Sequence, residues 1–342
     1  MMATIRMGDR VVGNGQPVFI VAEAGINHNG NIEKAKELID AAAECGADAV
    51  KFQTHIAEKE MLKTQITADY IGESIYDLIK RMELSREYHL ELMDYARKRG
   101  IIFFSTPFSK EAADLLDALG VPVFKIGSGE MTNLPLVAHI AGKRKPIIIS
   151  TGMSTMEEID ETVRLLKSKN AEFVLMHCTS TYPTKYEDVA LGVMQKLKER
   201  FGVPVGLSDH SVGIYTALAA VALGACVVEK HFTISRDWPG PDQKASIEPS
   251  ELRELVKGVR AIEKAMGSTK RVIADEVPVQ AFARESVVAV ADIRKGEIIG
   301  SGMVWVKRPG TGIPAKELDK IIGRKAARDI QNDTLLAWDD IE

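Results

Sequence analysis

The sequence predicts an α/β protein: a (β/α)8 TIM barrel followed by a small, mostly β domain. Three observations carry this reading. Between Val18 and about Ala265, eight short β-branched runs alternate with amphipathic helical stretches, the order that parallel strands with crossover helices require. Polar and charged residues gather at the C-terminal ends of nearly all eight runs; a closed barrel brings those ends into one ring, whereas an open doubly wound sheet does not. After Met266-Gly267 the texture changes to short strands and turns.

The runs, in order, are VFIVAE (Val18–Glu23), DAVKFQ (Asp48–Gln53), IIFFST (Ile101–Thr106), VFKIGS (Val123–Ser128), PIIIST (Pro146–Thr151), FVLMHC (Phe173–Cys178), VPVGLS (Val203–Ser208) and CVVEKH (Cys226–His231). The stretches between them carry helix signals. Ala35, Leu38, Ile39 and Ala42 share one helical face. Ser85 is placed to cap a helix whose end is marked by Arg97, Lys98, Arg99 and Gly100. Thr155 and Glu158 have capping-box spacing ahead of Ile159, Val163 and Leu166. The connection from Thr54 to Leu84 exceeds the roughly 2 to 6 residues usual for a βα loop, so it has room for a lid or an interface element. The expected domains are 1–267, a barrel with an N-terminal β-hairpin; 268–283, a linker; and 284–342, the small β domain.

Composition narrows the function. The 342 residues are 45% hydrophobic and 27% charged, with a net charge of -4 and no long run of one sign. A small molecule is therefore the expected partner, and neither nucleic acid nor membrane. Three cysteines, Cys45, Cys178 and Cys226, lack disulfide or zinc spacing. The first residues, MMATIRMGDR, lack the apolar run of a signal peptide, and no uncharged stretch reaches the roughly 18 residues of a membrane span. A cytoplasmic protein is expected.

His210 and His231 stand on consecutive strand ends, where neutral imidazoles can hold a divalent metal and leave positions open. Lys51 and Lys125 are lysines inside apolar strands and call for anionic partners. Ion pairs with Glu23 and Glu130 are one possibility, a Schiff-base role another. With Thr106, Ser128, Ser150 and Ser208 nearby, the two cations resemble a cradle for phosphate and carboxylate together. Glu23 and Glu130 are candidates for acid/base work or for orienting the lysines. His28 and His177 read as structural or supporting residues.

The ordered motifs FIVAEAGINHNG, AVKFQTH, STPFS, FKIGSGE, STGM, HCTSTYPT, GLSDHSVG, EKHFT and GPD, with KRPGTGI near the C-terminus, resemble the N-acylneuraminate (sialic acid) synthase family, including its legionaminic acid synthases. The resemblance covers almost the whole chain and implies an antifreeze-like (SAF, β-clip) C-terminal domain. It implies a manganese site at His210 and His231, with magnesium or cobalt as alternatives. Around phosphoenolpyruvate it implies Lys51, Thr106, Lys125, Ser128, Ser150, Ser180 and Ser208; near the acceptor sugar, Glu23, Gln53, Tyr182 and Asp242. Arg308 matches an arginine that reaches the partner subunit's barrel in a domain-swapped homodimer. The implied reaction condenses phosphoenolpyruvate with an amino-sugar aldehyde activated by the metal, Glu130 assisting the water that attacks C2 and Glu23 positioning the sugar. One departure concerns the sugar: Ser180 stands where sialic acid synthases proper commonly have asparagine, as in legionaminic-type enzymes, while IYDLIKRMELS looks little like the pseudaminic branch. Two rivals remain, a Schiff-base aldolase using Lys51 or Lys125 and a non-catalytic carbohydrate-binding protein.

Overall fold

The computed structural model describes residues 4–63 and 74–342, so the middle of the long Thr54–Leu84 connection lies outside the described residues. The chain divides into two compact units, Met1–Gly267 and Ser268–Glu342. The first opens with an antiparallel hairpin, β1 (Thr4–Met7) and β2 (Arg10–Gly13). Eight parallel strands follow: β3 (Phe19–Gly25), β4 (Ala49–Thr54), β5 (Ile102–Pro107), β6 (Phe124–Ile126), β7 (Ile147–Ser150), β8 (Phe173–Cys178), β9 (Val205–Asp209) and β10 (Val227–His231). Each pairs with the next, and β10 returns to β3, closing the barrel. Every expected run forms a strand.

The helices begin and end where their chemistry directs. Asn31 caps Ile32–Cys45 by accepting from the Glu33 and Lys34 amides, and Gly46 stops that helix at φ 84°, a conformation that carries no Cβ penalty only for glycine. Ser85 accepts from the Tyr88 amide at the start of Arg86–Lys98. The Thr155–Glu158 capping box is formed ahead of Met156–Ser168. Their apolar faces, including Leu38, Ile39, Ile159 and Leu166, are buried in the layer between helices and strands.

A second core fills the barrel itself. Inward-facing Phe19, Val21, Ala49, Phe104, Val123, Ile148, Met176 and Val227 pack with Ile5, Met7 and Val12 of the hairpin, which stoppers the N-terminal end. Gly206 supplies the inward position of β9, because a Cβ there would collide with Met176 and the Val227 carbonyl. Side chains on a strand alternate between faces, so the next inward residue of each strand lies one layer nearer the C-terminal end. That layer is polar.

In the second unit, β11 (Ser286–Ala289) pairs antiparallel with β12 (Val304–Lys307). Val287, Ile293, Ile299, Val304, Ile313, Ile330 and Leu336 form its core. Isolated bridges such as Val288↔Leu335 and Ile293↔Ile330 hold the remainder. The stretch 268–283, expected as a linker, carries a helix at Glu276–Ala283 with no buried residue. No helix among the described residues is long and apolar enough to cross a membrane.

Candidate active site

The polar layer supplies one residue from every barrel strand: Glu23, Lys51, Thr106 and Lys125 on β3 to β6, then Ser150, Cys178, Ser208 and Glu229 on β7 to β10. All eight line a cavity of about 300 Å³ at the C-terminal end of the barrel. Each lies two residues beyond a member of the barrel core or, on β9, beyond Gly206, so the alternation that builds the core also builds the floor of the cavity. Another cavity, of about 370 Å³, opens at the opposite end beside Pro17, Cys226 and Met266, without a comparable convergence of charge.

The floor is a compact electrostatic network. Lys51 Nζ lies 2.7 Å from Glu23 Oε1, 3.7 Å from Glu229 Oε1 and 3.1 Å from Thr106 Oγ1. Lys125 Nζ lies 3.2 Å from Glu229 Oε1, which also accepts from Ser208 Oγ at 3.1 Å. Burial raises the Glu23 carboxyl despite the opposing field of Lys51. At Glu229 burial pushes the same way, but Lys125 and Lys51 outweigh it and hold this carboxyl below its ordinary range. Burial disfavours the charged form of Lys51 too, and is outweighed by Glu229 and Glu23.

One expected pairing is corrected. Lys125 pairs with Glu229, not with Glu130, because Glu229 projects from β10 into the same layer while Glu130 follows the end of β6. Glu130 instead folds back over Gly127, its Oε2 buried without a hydrogen-bond partner among the described residues. Burial raises its carboxyl to about 7, against a weaker opposing effect of its own backbone amide and Lys125.

Hydroxyls converge on one side of the cavity. Ser128 Oγ accepts from the Gly152 amide at 3.1 Å, and a Cβ at position 152 would collide with both Ser128 Oγ and Ser180 Oγ. Glycine there lets the two serines approach. Gln53 Nε2 donates to Glu23 Oε1 at 3.2 Å.

The two histidines also line the cavity. Their ring centroids are 5.2 Å apart. Tyr182 stacks on His210 at 4.2 Å and meets His231 edge-on at 5.4 Å. His210 Nδ1 is 2.8 Å from the Thr179 carbonyl, so Nδ1 carries the hydrogen and Nε2 is bare in the neutral ring. His231 is held well below the ordinary histidine range by burial and by the charges of His210, Lys51 and Lys125. Its Nδ1 is buried without a hydrogen-bond partner among the described residues, with Asp242 Oδ2 at 3.6 Å. No group of three or more His, Cys, Asp or Glu among the described residues is arranged to hold a metal ion. His210 Nε2 and His231 Nδ1 nonetheless suit a divalent metal whose other positions are filled by small ligands.

The remaining residues lie apart or play other parts. Arg308 belongs to the second unit, where its guanidinium lies 5.8 Å from the centroid of the Phe282 ring. His177 Nε2 donates to the Val189 carbonyl at 2.6 Å, and His28 Nδ1 accepts from the Gly30 amide at 3.0 Å. Glu229 and Cys178 escaped the sequence reading. Glu229 had a signal, since it shares the face of Val227 and His231 in VVEKH; Cys178 had none, being a residue type that usually behaves as an apolar one.

A model of the NeuB family matches residues 38–271 and one of the SAF domain matches 284–342. The chain is 43% identical over 342 residues to an N,N'-diacetyllegionaminic acid synthase of Legionella pneumophila, with 96% of each chain covered. It is 38% identical over 332 residues to a human N-acetylneuraminate-9-phosphate synthase, covering 95% of this chain and 92% of that one. Among solved structures, an N-acetylneuraminic acid (sialic acid) synthetase from Leptospira borgpetersenii, in complex with citrate, superposes with a TM-score of 0.76 at 36% identity. That match covers 82% of this chain and 95% of the other.

Proposed function

This chain belongs to the NeuB family and is an enzyme, and from that premise we propose that it condenses phosphoenolpyruvate with an amino-sugar aldehyde, releasing phosphate and a nonulosonate. The observation that carries the reading is the joint occupation of one cavity by two buried lysines, a set of hydroxyls and a facing pair of imidazoles. Lys51 and Lys125, with Thr106, Ser128, Ser150, Ser180 and Ser208, bind the carboxylate and phosphate. Charged hydrogen bonds of this kind are the strong ones, and a buried site strengthens them. Glu229 lies 3.7 Å from Lys51 Nζ and 3.2 Å from Lys125 Nζ, a pairing that favours anion binding over the neutral amine that a Schiff-base aldolase needs.

On the acceptor side, Glu23, Gln53, Tyr182 and Asp242 orient the open-chain sugar. A divalent metal held by His210 and His231, manganese in preference to magnesium or cobalt, would supply Lewis-acid polarisation of the aldehyde oxygen when bound. The enol carbon of phosphoenolpyruvate then forms the new C–C bond. Water adds at C2, its proton passing to Glu130, whose carboxyl near 7 suits a base at neutral pH. Phosphate leaves by C–O cleavage.

For the sugar we infer a diacylated, legionaminate-type acceptor in preference to N-acetylmannosamine. Support comes from Ser180 in CTSTYP and from the similarity to the Legionella pneumophila synthase. We also propose a cytoplasmic homodimer in which Arg308 of one subunit serves the barrel of the other and contacts the sugar's acyl group. Val272, Ile273, Val277, Val279 and Phe282 are each about half exposed or more and suit burial against a second copy. All three cysteines are free, in keeping with a reducing compartment. The test is phosphate release from phosphoenolpyruvate with a panel of N-acyl-mannosamines and diacylated 6-deoxy sugars. One strongly preferred diacylated acceptor is expected; no release with any acceptor, together with borohydride trapping of pyruvate on a lysine, overturns the reading.

A further inference from the structure

Beside the acceptor side of the cavity runs a line of hydrogen bonds that the reaction above does not use. His55, just past the end of β4, is 5% exposed. Its Nδ1 is 2.8 Å from Glu60 Oε1 and its Nε2 is 3.1 Å from Gln53 Oε1. The ring stacks on Phe108 with centroids 4.2 Å apart, and Phe108 itself lines the cavity. The Glu60 side chain is 4% exposed, and its second oxygen accepts from the Ile56 amide at 3.3 Å. Gln53 continues the line by donating to Glu23 Oε1, the same oxygen that meets Lys51.

The donor and acceptor types along this line leave little freedom. Both ring nitrogens of His55 face oxygens, one from a carboxyl group and one from an amide. An amide oxygen cannot donate, so Nε2 must carry a hydrogen. The other ring nitrogen, Nδ1, is hydrogen-bonded to Glu60. With Nε2–H donating to its oxygen, the Gln53 amide can only turn its NH2 group toward Glu23. A bare Nε2 would reverse the amide and set its oxygen against the Glu23 carboxylate. Glu23 Oε1 is thus engaged by Lys51 and Gln53, while Oε2 is buried without a partner among the described residues.

We propose that His55 and Glu60 are positioning residues for the acceptor sugar: a hydrogen-bonded pair that fixes the Gln53 amide and thereby presents Glu23 Oε2 to a hydroxyl of the substrate. The proposal rests on the reaction assigned above. It predicts different outcomes for two substitutions of one residue. His55→Asn keeps a donor near the place of Nδ1, toward Glu60, and loses the one toward Gln53. His55→Gln keeps a donor near the place of Nε2.

The full-length enzyme carrying each change is assayed with the preferred acceptor. His55→Asn should raise the acceptor KM about tenfold, the size of one hydrogen bond to a charged group, with the phosphoenolpyruvate KM within about twofold. His55→Gln should stay within about threefold of wild type for both substrates. In a Gln53→Ala background, His55→Asn should have no further effect on the acceptor KM, because its route to the substrate is already gone. Equal losses for Asn and Gln, or a His55→Asn effect that adds fully to Gln53→Ala, overturn the proposal. A substrate-free readout separates it from the reaction itself. Nitrogen-15 histidine spectra of the wild-type protein, with His55→Gln identifying the resonance, should show His55 Nε2 protonated. A bare Nε2 overturns the dyad even if the enzyme turns over as assigned. A protonated Nε2 with no phosphate release from any acceptor leaves the dyad standing and removes the reaction.

Discussion

Lys125 shows how a buried charge is kept and what it is kept for. An ammonium inside an apolar strand is expensive unless paired, and here Glu229 at 3.2 Å supplies the pair while leaving the cation at the cavity floor. Lys125→Met should therefore raise the phosphoenolpyruvate KM by about 10- to 100-fold, with little change for the acceptor. Parallel titrations of both substrates check this, and equal losses would remove Lys125 from the anion cradle.

Glu130 has the opposite history, with burial outweighing its own backbone amide and Lys125, so its carboxyl sits near 7. Its pKa is raised above the unfolded value, so its stabilising contribution is complete below the ordinary carboxylate range and is lost as pH rises through about 7. Glu130→Gln has no such proton to lose. Wild type should thus lose stability relative to Glu130→Gln between about pH 5 and pH 8, by on the order of 3 kcal/mol. Denaturant unfolding at the two pH values measures it. The same ionisation makes the base available, so kcat/KM should rise through this range in wild type and lack that limb in the variant.

At the scale of elements, the metal-binding candidates depend on two adjacent strand ends and on what braces them from behind. His210 and His231 follow Asp209 and Lys230, which are register partners on β9 and β10 and point to the other face of the sheet. There Lys230 Nζ meets Asp209 Oδ2 at 2.9 Å and donates to the Ser211 carbonyl, while Thr216 donates to the same carboxylate at 2.6 Å. The result is a fully buried network tying the two strands at the level of the imidazoles. With His210 and His231 as the proposed ligands, loss of either should leave a labile ion. His231→Ala, purified after exposure to manganese, should retain well under one equivalent by elemental analysis, and its turnover should fall with its metal content. Full metal retention would show that the ion is held elsewhere.

At the scale of the molecule, the two units carry different candidate residues. The barrel carries the whole polar layer, and the second unit carries Arg308 in a turn between β12 and Pro314. In the proposed homodimer, Arg308→Ala should raise the acceptor KM by about 10- to 100-fold and leave the phosphoenolpyruvate KM near wild type. Mixing Arg308→Ala with His231→Ala should restore part of the activity, since a hybrid dimer has one intact composite site. Demonstrated subunit exchange without recovered activity would rule out the swapped arrangement.

Much of this was legible before folding was considered. The eight strands, the capped helices and the change of texture after Gly267 follow from local rules: alternation for strands, helical periodicity for helices, and side chains that satisfy orphan amides at helix ends. Those rules act within a few residues, so the linear sequence carries them whole. The polar strand ends were legible for the same reason, because a lysine or serine inside an apolar run is conspicuous wherever it stands. Partners across the barrel were not. Lys125 and Glu229 are separated by 104 residues, and only the closed cycle of strands, with its register, decides that Glu229 and not the nearby Glu130 shares the floor. Which atoms of His231 and Glu23 are left without a hydrogen-bond partner among the described residues is likewise set by neighbours from other strands. The sequence by itself determined which strands and helices form and which side chains the barrel could gather; the tertiary structure decided who pairs with whom, because pairing depends on distance in space, and burial sets how strongly each pair matters.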